Sequence, residues 1–126
     1  MTAANTIPDD LREFIQKHID SIAQLEALLM LRGSPGTGWD AAKVAARLYI
    51  SEQETAALLA RLSADGFLTV DNGVYRYGCQ RDVQQQLVDR LADLYARELI
   101  PVTNLIHAKP RRIREFADAF KLTKEN

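Results

Sequence analysis

Leu68-Thr69-Val70-Asp71-Asn72-Gly73-Val74-Tyr75-Arg76-Tyr77 decides the fold of this chain. Asn72-Gly73 is the signature of a two-residue type I′ turn, because both central residues must take positive φ. With the turn placed there, Asp71 faces Val74, Val70 faces Tyr75, Thr69 faces Arg76 and Leu68 faces Tyr77. Side chains alternate along a strand, so Leu68, Val70, Tyr75 and Tyr77 share one face, with Thr69, Asp71 and Arg76 on the other. This register is expected to bury every large apolar residue of the hairpin except Phe67 and Val74.

The forty residues from Trp39 to Gly78 extend that hairpin backwards into two short helical patterns. Asp40 is placed to cap the first, where Val44, Ala45 and Leu48 share a face, and Tyr49-Ile50 forms the turn. Ser51-Glu52-Gln53-Glu54 is a capping box opening the second, which carries Thr55, Leu58, Leu59 and Leu62 before Gly66 ends it. The stretch reads as a helix-turn-helix followed by a β-hairpin wing.

Two helices precede it. Pro8, Asp9 and Asp10 open an amphipathic segment with Leu11, Phe14 and Ile15, beside which His18 reads as an ordinary helix residue. Ser21 and Gln24 open the next, whose Ile22, Leu25, Leu28, Leu29 and Leu31 make it the most buried helix expected. The Gly33-Ser34-Pro35-Gly36-Thr37-Gly38 loop invites comparison with a phosphate loop, but no strand precedes it and no Lys-Ser or Lys-Thr pair follows, so it reads as a connector. Trp39 reads as an anchor of that loop to the core, with ligand stacking as the alternative.

After Cys79 a long helix is expected from Asp82, with Val83, Leu87, Leu91, Leu94, Tyr95, Leu99, Val102, Leu105 and Ile106 at helical spacing. Pro101 should kink or break it. Continuous to His107 it would reach about 38 Å at 1.5 Å per residue, more than a small core needs, which points to a protruding or dimerising helix. A final short helix is expected from Pro110, burying Ile113, Phe116, Ala117 and Phe120. The division is residues 1–79 as a winged helix-turn-helix domain with N-terminal helices, and 80–126 as a C-terminal helical extension.

Composition narrows the function. The chain has 126 residues, 47% hydrophobic, with a formal net charge of −1. One cysteine cannot form an internal disulfide, and two histidines make no metal-ligand spacing. No apolar run is long enough to cross a bilayer and no leader pattern opens the chain, so a cytoplasmic, membrane-free protein is expected. Cys79 has no base nearby in sequence and no paired carboxylates stand out, so neither catalytic residues nor a cofactor or metal are expected, and the chain does not read as an enzyme.

In element order the chain resembles the winged-helix proteins of bacteria, including the MarR-like transcriptional regulators. The likeness rests on Trp39-Asp40, Val44-Ala45, Leu48, Ile50-Ser51, Leu58, Leu62, Gly66-Phe67-Leu68 and Tyr75-Arg76-Tyr77. With its Lys109-Pro110 and Phe116-Ala117-Asp118-Ala119-Phe120 ending, the whole is similar to a group of short bacterial winged-helix proteins of unassigned function. The resemblance implies a mainly α fold with a small β-hairpin, and a dimeric DNA-binding transcriptional regulator. Gln53, Ala57 and Arg61 would then enter the major groove and Arg76 of the wing would touch the backbone, with Lys43 and Arg47 as further cations.

Charge argues against a strong DNA grip. Trp39 to Gly78 holds four basic and five acidic residues, with Glu52 and Glu54 at the start of the second helix and Asp71 at the wing tip. Four dispersed cations imply weak binding with a shallow salt dependence. The basic excess lies instead at Lys109, Arg111, Arg112 and Arg114, where a helix start makes cations unfavourable. Two readings stand for that cluster: pairing with Asp89, Asp93 or Glu98, or a site for an anion or an acidic partner. The alternative to DNA binding is a protein-interaction module that kept the scaffold and lost the basic surface.

Overall fold

The computed structural model describes residues 7–108. Its elements run α1 (Asp9–His18), α2 (Ile22–Arg32), α3 (Ala41–Leu48), α4 (Glu52–Ala64), β1 (Leu68–Asp71), β2 (Val74–Tyr77) and α5 (Asp82–Arg97), followed by a helix, α6, over 99–108. This is a mainly helical fold with a hairpin wing.

Capping sets most of the helix starts. The Ser21 hydroxyl accepts from the Gln24 N–H, the Asp40 carboxylate from the Lys43 N–H, and the Ser51 hydroxyl from the Glu54 N–H. Each satisfies one of the free donors of a first helical turn, worth about 1 kcal/mol. Between α3 and α4 the chain reverses through Tyr49, whose φ of 58° is left-handed and whose side chain is 94% exposed. A left-handed tyrosine costs on the order of 1 kcal/mol, and the turn brings α4 back across α3.

One core joins these elements. Leu25, Leu28 and Leu31 of α2 are wholly enclosed by Leu11, Phe14 and Ile15 of α1, Val44 of α3, Leu58, Leu59 and Leu62 of α4, and Val88, Leu91 and Leu94 of α5. Each such side chain stabilises the fold by about 1.5–3 kcal/mol. As expected, α2 is the central helix, and even its polar Gln24 is enclosed. The Gln24 amide accepts from the Asp20 N–H and donates to the His18 carbonyl, so no polar atom of it is left bare.

The hairpin has the register read from the sequence, Leu68 to Tyr77, Thr69 to Arg76, Val70 to Tyr75 and Asp71 to Val74. Its expected burial is corrected at two places. Val70 is 48% exposed, whereas Phe67 is fully buried. Burial along the wing is set by distance from the helices: its outer half extends past them, while Gly66, at φ +91°, turns Phe67 inward against the rings of Phe14 and His18.

The sequence also gave no sign of a third strand position. Trp39 exchanges both backbone hydrogen bonds with Tyr75, at 2.8 and 2.7 Å, and so extends the sheet beyond β2.

The long C-terminal helix is not continuous, and its break precedes the proline. Glu98 leaves helical geometry at φ −126° and ψ 57°, closing α5 and opening α6. Pro101 then lies in the first turn of α6, where its missing N–H removes no helical bond. Val83 and Leu99, expected on the buried face, are 51% and 50% exposed, and Val88, which the spacing overlooked, is buried. With α5 about 24 Å long at 1.5 Å per residue, Val88, Leu91 and Leu94, and then Val102 and Ile106 of α6, enter the common core. The Arg90 guanidinium clasps Asp10 at 2.6 and 3.0 Å, which holds the Asp10 carboxyl below its ordinary range and raises Arg90. The expected helix from Pro110 and the cluster Lys109, Arg111, Arg112 and Arg114 lie outside the described residues.

Candidate nucleic-acid interface

The cations named above as DNA-facing divide into two groups. Arg61 is the first. Its Nη1 donates to Asp20 at 2.9 Å, its Nε to Asp65 at 3.1 Å and its Nη2 to the Lys17 carbonyl at 3.3 Å. The guanidinium is therefore held against the end of α1 and the loop before α2. Asp65 also meets His18 Nδ1 at 3.0 Å, and the His18 ring packs against Phe14 and Phe67. What reads in the sequence as an ordinary helix residue is half of a cross-link between α1 and α4.

Lys43, Arg47 and Arg76 form the second group. Lys43 and Arg47 are one turn apart on the exposed side of α3, and the Arg47 guanidinium lies 5.2 Å from the centroid of the Trp39 ring. That cation–π contact positions the arginine without neutralising it. Arg76, on β2, reaches back over Gly38. A Cβ on Gly38 would lie 3.0 Å from Arg76 Nη2 and 2.5 Å from Val74 Cγ1, so a larger residue there would have to displace the Val74 side chain and the end of Arg76. The three cations thus surround residues 38–40, at the seam between α3 and the sheet.

Ion pairing separates the groups cleanly. Arg32 binds Asp89, Arg61 binds Asp20 and Asp65, Arg90 binds Asp10 and Arg97 binds Asp93. Lys43, Arg47 and Arg76 have no carboxylate partner among the described residues. Trp39 itself is 9% exposed, with a buried indole N–H that has no hydrogen-bond partner among the described residues. It anchors the seam, as the sequence suggested, by strand pairing as well as by packing.

The α4 helix packs against α3. Thr55, Leu58, Leu59 and Leu62 face the core, leaving Gln53, Ala57, Ala60 and Ala64 on the opposite, exposed row. Glu52 and Glu54 are exposed in its first turn. The turn residue Tyr49 stands at the corner beside them; nothing in its sequence context marks it, because exposure there follows from a backbone conformation that tyrosine seldom takes.

Chemistry elsewhere is muted. Cys79 donates to the Tyr77 hydroxyl at 3.4 Å, and burial pushes both the thiol and the phenol up, so both stay protonated at neutral pH. Among the described residues no group of three His, Cys, Asp or Glu side chains is arranged to hold a metal, and no helix is long and apolar enough to cross a membrane. Compared with known proteins, the chain matches no family model, no curated protein and no solved structure.

Proposed function

We propose that this protein is a winged-helix regulator that binds duplex DNA through the seam between α3 and the wing. The supporting observation is that Lys43, Arg47 and Arg76, gathered about residues 38–40, form no ion pair among the described residues, whereas Arg32, Arg61, Arg90 and Arg97 are each held by a carboxylate. Phosphate binding needs cations that are not already neutralised, and this seam has them. Tyr49 in the turn after α3 and Gln53 on α4 extend the surface. Arg61, engaged by Asp20 and Asp65, contributes to the fold instead.

Three phosphate contacts per protomer imply a slope of log affinity against log salt of roughly −3, since each contact contributes about −0.9. A homodimer, formed through the C-terminal helices, doubles that number and supplies paired half-sites. The test is titration of the full chain against duplex DNA at several salt concentrations, with solution mass measured in parallel. Replacing Lys43, Arg47 and Arg76 together by alanine is expected to abolish binding and leave unfolding nearly unchanged. Absence of binding by the native chain even at low salt would sink the reading.

The carboxylates of Glu52 and Glu54 favour a second reading, in which α4 engages a basic protein partner. In that case the triple variant keeps its partner, and Glu52→Gln with Glu54→Gln loses it.

A further inference from the structure

We infer that the exposed row of α4 selects A·T-rich duplex, an inference that rests on the DNA-binding reading above and names the kind of site it takes. The outward row is Gln53, Ala57, Ala60 and Ala64, all exposed and all opposite the buried Thr55, Leu58, Leu59 and Leu62. It offers a groove one amide and three methyl groups.

Base edges differ in what they ask of a side chain. Guanine is read by a bidentate arginine or lysine, and cytosine by a carboxylate accepting from its amino group. Adenine suits the bidentate amide of glutamine or asparagine, and the thymine methyl suits an apolar side chain such as alanine. The one arginine of α4 is turned to the flank and held by Asp20, Asp65 and the Lys17 carbonyl. Glu54 lies on that same flank, lining with Asp20, Ala57 and Arg61 a shallow cleft of about 280 Å³. Glu52 lies on the other side of the row by the 100° helical step. The row that meets base edges therefore contains no group suited to guanine or cytosine and two kinds suited to an A·T pair.

Affinity and selectivity are then divided between elements. The cations of α3 and β2 hold the backbone whatever the sequence, and Gln53 with the alanine methyls adds a preference. Gln53 and Ala57 matter most, because the first turns of such a helix approach the bases closest.

Fluorescence anisotropy on the full chain tests this with labelled duplexes of equal length: one of mixed A·T sequence, one of mixed G·C sequence, and the A·T duplex with deoxyuridine for thymidine, which removes the methyl groups alone. The expected result is A·T duplex bound about tenfold more tightly than G·C. Part of that preference should be lost with deoxyuridine and part with Gln53→Ala, while G·C affinity stays constant. Equal affinity for the two sequences, or a G·C preference, overturns the inference and leaves the DNA-binding reading standing. A preference that survives both deoxyuridine and Gln53→Ala overturns it as well, because groove shape and not α4 is then the source. Absence of binding to all three duplexes at low salt overturns the underlying reading and the inference with it.

Discussion

Arg61 and Arg47 project from successive helices and look interchangeable in sequence, yet the fold treats them oppositely. Arg61 meets two carboxylates and a carbonyl and ties the end of α4 to α1 and the start of α2. Arg47 meets the face of an indole and, among the described residues, no counter-charge. The difference comes from what each helix end encounters. The C-terminal end of α4 abuts the α1–α2 junction, where Asp20 lies, and carries its own Asp65 one turn on from Arg61. The exposed side of α3 looks across the loop at Trp39 and the wing. One pole of the molecule has its charges consumed by structure, and the other keeps them available. A charge count over Trp39 to Gly78 gives the net charge but does not say which of its cations are already paired.

The strongest way to break this comparison is at the residue on which both poles depend. Phe67 packs edge-on against Phe14 and His18 at 5.4 and 5.2 Å, and its backbone carries the chain from α4 into β1. Phe67→Ala is expected to cost about 3–5 kcal/mol in denaturant unfolding, the usual range for an enclosed phenylalanine. Fold and DNA binding should fail together in this variant. In the Lys43, Arg47 and Arg76 variant they should separate, with binding lost and the unfolding midpoint nearly kept. If Phe67→Ala left the wing's binding intact, the two poles would be independent units.

A smaller change isolates the anchored pole. Asp65 accepts from both His18 and Arg61, and its side chain is only 20% exposed. Asp65→Ala is expected to destabilise by about 1–2 kcal/mol, since two partly buried partners lose their acceptor. Screening by water at the more exposed Arg61 keeps the figure at that level. Affinity for duplex should not change. A severalfold rise in affinity at low salt would mean that Arg61, once released, joins the phosphate contacts, and the division between the poles would be one of availability alone.

How far these poles could be read beforehand depends on the range of the interactions. The hairpin register followed from a turn dipeptide and alternation, both local, and the structure reproduces each pair of Leu68–Asp71 with Val74–Tyr77. The caps at Ser21, Asp40 and Ser51 were equally local. Contacts that join residues far apart were not legible. Nothing in the sequence links His18 to Asp65, Arg61 to Asp20, or Trp39 to Tyr75, because pairing across 36 to 47 positions depends on how packed helices happen to meet. The exposure of Val70 was missed for a related reason. Alternation fixes which face a side chain occupies, but whether that face is covered depends on how far the helices reach along the wing. At the C-terminal side, periodicity carried the apolar stripe through Glu98 as if the helix were continuous, whereas the helix breaks there and Leu99 is half exposed; Val88, buried with Leu91 and Leu94 on the inner side of α5, was passed over.

The mildest test uses pH and separates α5 from the wing. The Tyr95 hydroxyl donates to Glu26 at 2.8 Å, and burial together with that carboxylate pushes its pKa up to about 12. Tyr77, at the base of the wing, is raised as well, by burial and by the Cys79 thiol. A tyrosine whose pKa is higher in the folded state than in the unfolded chain holds its proton longer when folded. Stability is therefore intact below the ordinary tyrosine pKa of about 10 and declines above it, with the Tyr95 contribution gone once pH passes about 12. Tyr95→Phe cannot ionise, so its unfolding midpoint should fall less steeply than that of the native chain over this window. It also gives up the Glu26 hydrogen bond, so at neutral pH it should be slightly less stable, by about 0.5–1.5 kcal/mol. The two curves are expected to converge as pH rises. Parallel curves would mean that Tyr95 ionises alike in both states. Tyr77→Phe distinguishes the regions: its curve should also flatten, and any accompanying loss of duplex affinity at neutral pH would connect the base of the wing to the cationic seam above it.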